Sequence, residues 1–306
     1  MTYTCTACGV TYTEAIDQLP AVAQIGEVKY PSLQSAVNAA TANDVVVLAV
    51  DSNEEVTVSI GATLYLDLNG HNVKKITVQE KGKLYGMDTT TDEYSSENGY
   101  GKISAIDGDY GKAYRTEVTG YGKRYVAVKE ADGISFHRFY VGITHMALRP
   151  GMGGAGYAMT IAGDSKVQSL LKAEDAFGYT LSVTVDGEER TNTYSVGKAE
   201  FAGGEKKIDA LTIDNILVVG GDNATRAELP ITATAFIHFE GMEDKIEVSI
   251  TNSFKEIVLA TEAGLDIAKL DEEQKEALIY LYNELGVSEL AWAEALTKIA
   301  ELAKNP

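Results

Sequence analysis

The chain has 306 residues, enough for two or three domains that each bury a core. Its 45 Asp and Glu against 26 Lys and Arg leave a formal charge of −19, which excludes binding to a phosphate backbone by clustered cations and adsorption to an anionic membrane surface. Hydrophobic residues make up 45%, a globular proportion, but no apolar run reaches the roughly 18 residues that would mark a membrane span, so no insertion is expected.

From the start, MTYTCTACGVTYTEAI reads as strand, turn and strand, without the basic, apolar and small-residue order of a secretory leader. A fragment of a longer protein is expected. Cys5 and Cys8 form CTACG and are the only two cysteines. Such a pair is half of a tetrahedral zinc site, a redox disulfide or a plain hairpin, and two further zinc ligands are missing. The hairpin is similar to the last one of a small Cys-containing repeat found in tandem in secreted bacterial proteins, which implies that any upstream ligands would precede Met1. Residues 1–24 are therefore expected as a remnant hairpin and linker, holding no zinc.

Ser32 follows Pro31 and caps a predicted helix whose Leu33, Ala36, Val37 and Ala40 recur at i, i+3, i+4 and i+7. The run VVVLAV after Asn43-Asp44 is almost uniformly apolar, which predicts a strand covered on both faces. VTVSI and TLYLDL follow at a spacing of about ten residues, the rhythm of short repeated rungs. With its LDLNGH motif, this opening resembles the right-handed parallel β-helix, pectin-lyase-like, of large bacterial surface proteins. The resemblance implies a cap helix and coils of short strands over residues 25–130, and no activity.

After the NG turn, NVKKITV, GKLYGM, GKISAI and KRYVAVKE keep the rhythm. The polar tract between Met87 and Gly101 interrupts it, and a surface loop is expected there, either binding or merely solvated, whose residues 88–99 can be removed without loss of stability. From Gly133 the pattern changes to about seven strands with Gly, Asp and Asn turns, an antiparallel sandwich over residues 131–260. Within it, ALRPGMGGAGYAMTIAGD and FGYTLSV resemble an immunoglobulin-like module that accompanies β-helix segments in bacterial surface proteins. The glycine run from Gly151 to Gly156 precedes a strand and lacks Lys-Ser/Thr, so an inter-strand turn is expected and not a phosphate loop. Residues 261–306 read as a helical hairpin: Asp271 with Gln274 makes a capping box, Leu278, Leu281, Tyr282 and Leu285 line one face, Gly286 ends it, and Trp292, Ala295, Leu296 and Ile299 line the next.

The fold class expected is thus mainly β: a short right-handed parallel β-helix, an antiparallel β-sandwich and a C-terminal helical hairpin. His71, His137, His145 and His238 lie in no metal-spaced cluster, and no nucleophile elbow occurs; no catalytic residue, metal or cofactor is assigned. The chemistry that the pattern does allow is a polysaccharide lyase or glycoside hydrolase, with Asp107, Asp109, Arg115 and Arg124 as calcium ligands and base along a β-helix groove. The leading expectation is a non-catalytic, monomeric module of a secreted or cell-surface protein, in adhesion, glycan or protein binding, or spacing, with no nucleic-acid partner.

Overall fold

The computed structural model describes residues 2–4, 6–13, 20–90, 99–115, 124–149, 154–185, 187–201, 205–210, 228–253 and 256. The expected C-terminal helical hairpin, with Asp271 and Gln274, lies outside them. The protein is mainly β with several sheets. It divides into two compact units, Met1–Arg138 and Phe139–Pro306.

In the first unit β1 (Thr2–Thr4) and β2 (Thr11–Thr13) pair antiparallel, Thr2 opposite Thr13. A second hairpin, β3 (Ala23–Ile25) and β4 (Val28–Tyr30), joins the sheet that follows, and Ala23 is fully buried. Sheet structure thus begins inside the stretch expected as linker. After α1 (Leu33–Ala39) come β5 (Val45–Leu48), β6 (Ser52–Val58), β7 (Thr63–Asp67), β8 (Val73–Val78), β9 (Lys83–Met87) and β10 (Ile106–Asp107). They alternate between two sheets, ordered β4-β3-β5-β7-β9 and β10-β8-β6. In the first sheet β3 pairs antiparallel with both β4 and β5, whereas β5, β7 and β9 there, and β6, β8 and β10 in the second, pair parallel. Val45 lies beside Tyr65 and Tyr65 beside Tyr85; Val56 lies beside Ile76, each pair 20 residues apart. The next step, Ile76 to Ile106, spans 30, because the polar tract after Met87 lengthens that turn of the chain.

Alternation explains why these strands face one core. Val46 and Leu48, Leu64 and Leu66, Val56 and Val58, Ile76 and Val78 are buried together, as period-two side chains on facing sheets must be. The expectation that VVVLAV is covered on both faces is corrected: Val45 and Val47 are only half-buried, since alternate side chains of a strand point to opposite faces and only Val46 and Leu48 enter the core. Helix α1 closes the open edge of β6. The Gln34 amide takes the place of a neighbouring strand, its Oε1 accepting from Thr57 N–H at 2.7 Å and its Nε2 donating to Thr57 C=O at 3.1 Å, so the backbone groups of Thr57 on that edge are satisfied. Ser32 caps the helix, its hydroxyl accepting from Ser35 N–H. Glu54 of β6 accepts from Leu33 and Gln34 N–H at 2.8 and 3.1 Å, placing a carboxylate at the positive helix end. An antiparallel pair, β11 (Ala113–Arg115) and β12 (Arg124–Glu130), completes the unit.

The long strand β13 (Gly133–Arg149) contains the division between the units. In the second unit its part from Phe139 pairs antiparallel with β14 (Gly154–Gly163). After α2 (Ser165–Ser169), β15 (Phe177–Val185) and β16 (Glu188–Val196) come β17 (Glu205–Ala210), β18 (Pro230–Ile237) and β19 (Ile246–Ser253). β17 pairs with β14, and a separate antiparallel sheet has the order β16-β15-β18-β19. One face of that sheet is apolar, with Leu181, Val183, Ala233 and Ala235 buried. The other carries hydroxyl ladders: Thr180 with Thr193 at 3.3 Å, Thr234 with Ser249 at 2.8 Å and Thr232 with Thr251 at 2.9 Å, cross-strand pairs that stabilise a solvated face. Residues 151–153 of the glycine run lie outside the described residues, and the strand expected at YAMTIAG starts at Gly154.

Candidate functional site

The LDLNGH turn builds a polar interior in the first unit. Asn69 and Gly70 take positive φ of 47° and 79°, a left-handed pair that only Asn, Asp and Gly adopt readily. A Cβ on Gly70 would also come 2.7 Å from the Thr90 hydroxyl. Asp67 is buried. Its Oδ1 accepts from Asn69 N–H at 2.9 Å and Thr89 N–H at 3.0 Å, and its Oδ2 from the Thr89 hydroxyl at 2.6 Å. Asp88, fully buried, accepts from the N–H groups of Gly70, Thr90 and Gly101 at 3.1, 3.0 and 2.6 Å. Burial raises the Asp67 pKa, the hydrogen bonds from Thr89 and Asn69 oppose that rise, and the Asp88 charge adds to it. These oxygens are occupied in tying one turn of chain to the next, the reason buried carboxylates persist at all. Removing residues 88–99 would take out Asp88 and Thr89 and orphan the N–H groups of Gly70 and Gly101. The expected indifference of stability to that deletion is therefore corrected; residues 91–98 lie outside the described residues.

A different arrangement faces solvent. Tyr65 and Tyr85 stand beside each other on β7 and β9, ring centroids 5.4 Å apart and 16° from parallel, close to the spacing of the strands that carry them. The segment after β10 lies against β9, with Leu84 bridged to Tyr110 and Gly111 N–H donating to Leu84 C=O at 2.8 Å. There the outward position is Gly111, and a Cβ on it would come 2.4 Å from Tyr85 Cδ1. With a glycine below, the Tyr85 ring leans into the gap. Lys83, Tyr85, Asp109, Tyr110 and Gly111 line a cleft of about 190 Å³ beside it. Lys83 and Asp109 are exposed, and neither forms an ion pair among the described residues. The cleft thus offers aromatic surface, three ammonium donors and a carboxylate acceptor on a regular backbone.

Of the four residues considered for a lyase, Asp109 lines the cleft. Asp107 is exposed on β10 opposite Thr77, and Arg124 is buried at 4% exposure at the start of β12. Arg115 stands opposite Arg124 in the backbone register, and its side chain lies outside the description. His71 Nδ1 is 3.4 Å from Asp51. His137 is buried on β13, 2.9 Å from the Ser135 hydroxyl with its ring 4.0 Å from that of Tyr100. His238, just past β18, contacts Met242 C=O at 3.1 Å; His145 is described only by its backbone on β13. Cys8 is exposed with a free thiol, and Cys5 lies outside the described residues. Among the described residues no three of His, Cys, Asp and Glu converge on a metal position, and no helix is long and apolar enough to cross a membrane.

Lys83, Tyr85, Tyr110 and Gly111 were missed in the sequence. The available cue was the Leu-Tyr dipeptide recurring at Leu64-Tyr65 and Leu84-Tyr85, at the offset of one rung. No protein-family model matches the chain, and no curated protein matches it.

Proposed function

We propose that this chain is a non-catalytic module of a secreted or cell-surface bacterial protein, acting in adhesion, in binding of an extracellular glycan or protein, or in spacing. In this reading residues 25–130 are a short right-handed parallel β-helix capped by α1, residues 131–260 an immunoglobulin-like antiparallel sandwich, and residues 261–306 a helical hairpin. The fixed 20-residue offset in two parallel ladders supports the β-helix, and parallel crossover connections are right-handed almost without exception. The two antiparallel sheets of the second unit support the sandwich.

One observation carries the binding role within this reading: the solvent-facing cleft at Tyr85, where free polar groups and aromatic surface sit on rigid rungs. Rigid scaffolds display recognition groups in this way because surface positions vary without unfolding the core. The acidity, with a formal charge of −19, keeps such a module soluble.

Incubation of the whole chain with pectin-like and neutral polysaccharides, with and without calcium, tests the non-catalytic part. Polymer length is expected to stay constant, with no new reducing or unsaturated ends. Shortening of a polymer that is lost on Arg124→Ala would overturn the reading in favour of a lyase or hydrolase.

A further inference from the structure

We propose that the cleft formed by Lys83, Tyr85, Asp109, Tyr110 and Gly111 binds a single ring of a neutral hexopyranose chain; the inference rests on the binding role proposed above. Size is the first argument. A cleft of about 190 Å³ has room for one pyranose ring, whereas a specific protein partner needs on the order of 800 Å² of contact on each side. Chemistry is the second. The C–H face of a pyranose is apolar and its rim is polar, and the cleft pairs Tyr85 with Lys83 and Asp109 in the same way, while Tyr110 packs against the core beside Leu84. Two neighbouring sugar hydroxyls donate to the Asp109 carboxylate while a third accepts from the Lys83 ammonium, hydrogen bonds strengthened by the charge on one partner.

Charge selects within the sugars. A uronate would approach through the field of a chain with a formal charge of −19, which slows its encounter, and its carboxylate would compete with Asp109 for the Lys83 ammonium. A neutral hexose meets no such barrier. Preorganisation is the fourth argument. Tyr65 backs Tyr85 at 5.4 Å, and Gly111 supplies the gap that lets the ring lean, since a Cβ there would sit 2.4 Å from it. The aromatic wall is held before the ligand arrives, which lowers the ordering cost of binding.

The test is calorimetric titration of the whole chain with neutral tetrasaccharides of mannose, galactose and glucose and with tetragalacturonate. At least one neutral tetrasaccharide is expected to bind with Kd on the order of 1 mM or tighter, independently of calcium, and tetragalacturonate to bind more weakly. Tyr85→Ala and Asp109→Ala are each expected to weaken the neutral ligand about tenfold or more. Asp109 is exposed, so its variant keeps the wild-type melting temperature and remains informative if Tyr85→Ala unfolds. Failure of every neutral tetrasaccharide to bind, preference for tetragalacturonate, or full-strength binding by Asp109→Ala overturns this site. A glycan bound at full strength by Asp109→Ala overturns the site while the binding module stands, whereas polymer shortening overturns the module reading itself.

Discussion

At Asp67, burial and hydrogen bonding pull in opposite directions, and burial prevails: the pKa stands above its ordinary 3.8. The folded chain therefore holds a proton at a pH where the unfolded chain has released it. Stability from this residue falls as pH rises from the ordinary value through the folded one, and the loss is complete above the folded pKa. Asp67→Asn keeps an acceptor for Asn69 and Thr89 N–H without a charge to desolvate. The stability of the variant relative to wild type, from urea unfolding, is expected to increase between about pH 4 and pH 7; a difference that is flat across this range would show that burial does not govern Asp67. The importance of LDLNGH was legible because Asn-Gly marks a left-handed turn. The role of Asp67 was not, because its partner Thr89 lies 22 residues away, one rung on, where no local pattern reports it.

The element that covers the edge of β6, α1, joins local propensity to long-range bonding. Its apolar stripe was readable from spacing, and Leu33 and Ala36 are buried while Val37 and Ala40 pack against the core. The bonds that make it a cap come from β6, through Glu54 to the helix N-terminus and through Gln34 to Thr57. Glu54→Ala leaves Leu33 and Gln34 N–H without that acceptor and is expected to cost about 1–2 kcal/mol in chemical unfolding. No measurable loss would mean that solvent serves those donors as well as the carboxylate does. At the opposite extreme, β16 was not legible as a separate strand. Eight of its nine residues are exposed, so it carries no hydrophobic alternation, and its register comes from pairing with β15.

For the molecule as a whole, the spacing of about ten residues between strands was readable, and its meaning is geometric: successive strands alternate between two sheets, so each sheet repeats at 20. The polar tract after Met87 stood out as an irregularity, and it lengthens one step to 30. Its anchoring by Asp88 was hidden, because a carboxylate serving backbone N–H groups looks in sequence like any turn residue. The cleft at Tyr85 was hidden for a related reason, being assembled from two rungs and a glycine whose lack of a side chain is its contribution. The most direct test of the account is a glycan array probed with the whole chain, wild type and Asp109→Ala, with and without calcium. Retention of neutral hexose glycans by the wild type in both conditions, and its loss in the variant, is the predicted result; an array with no retained glycan, or retention of uronates alone and only with calcium, would contradict it.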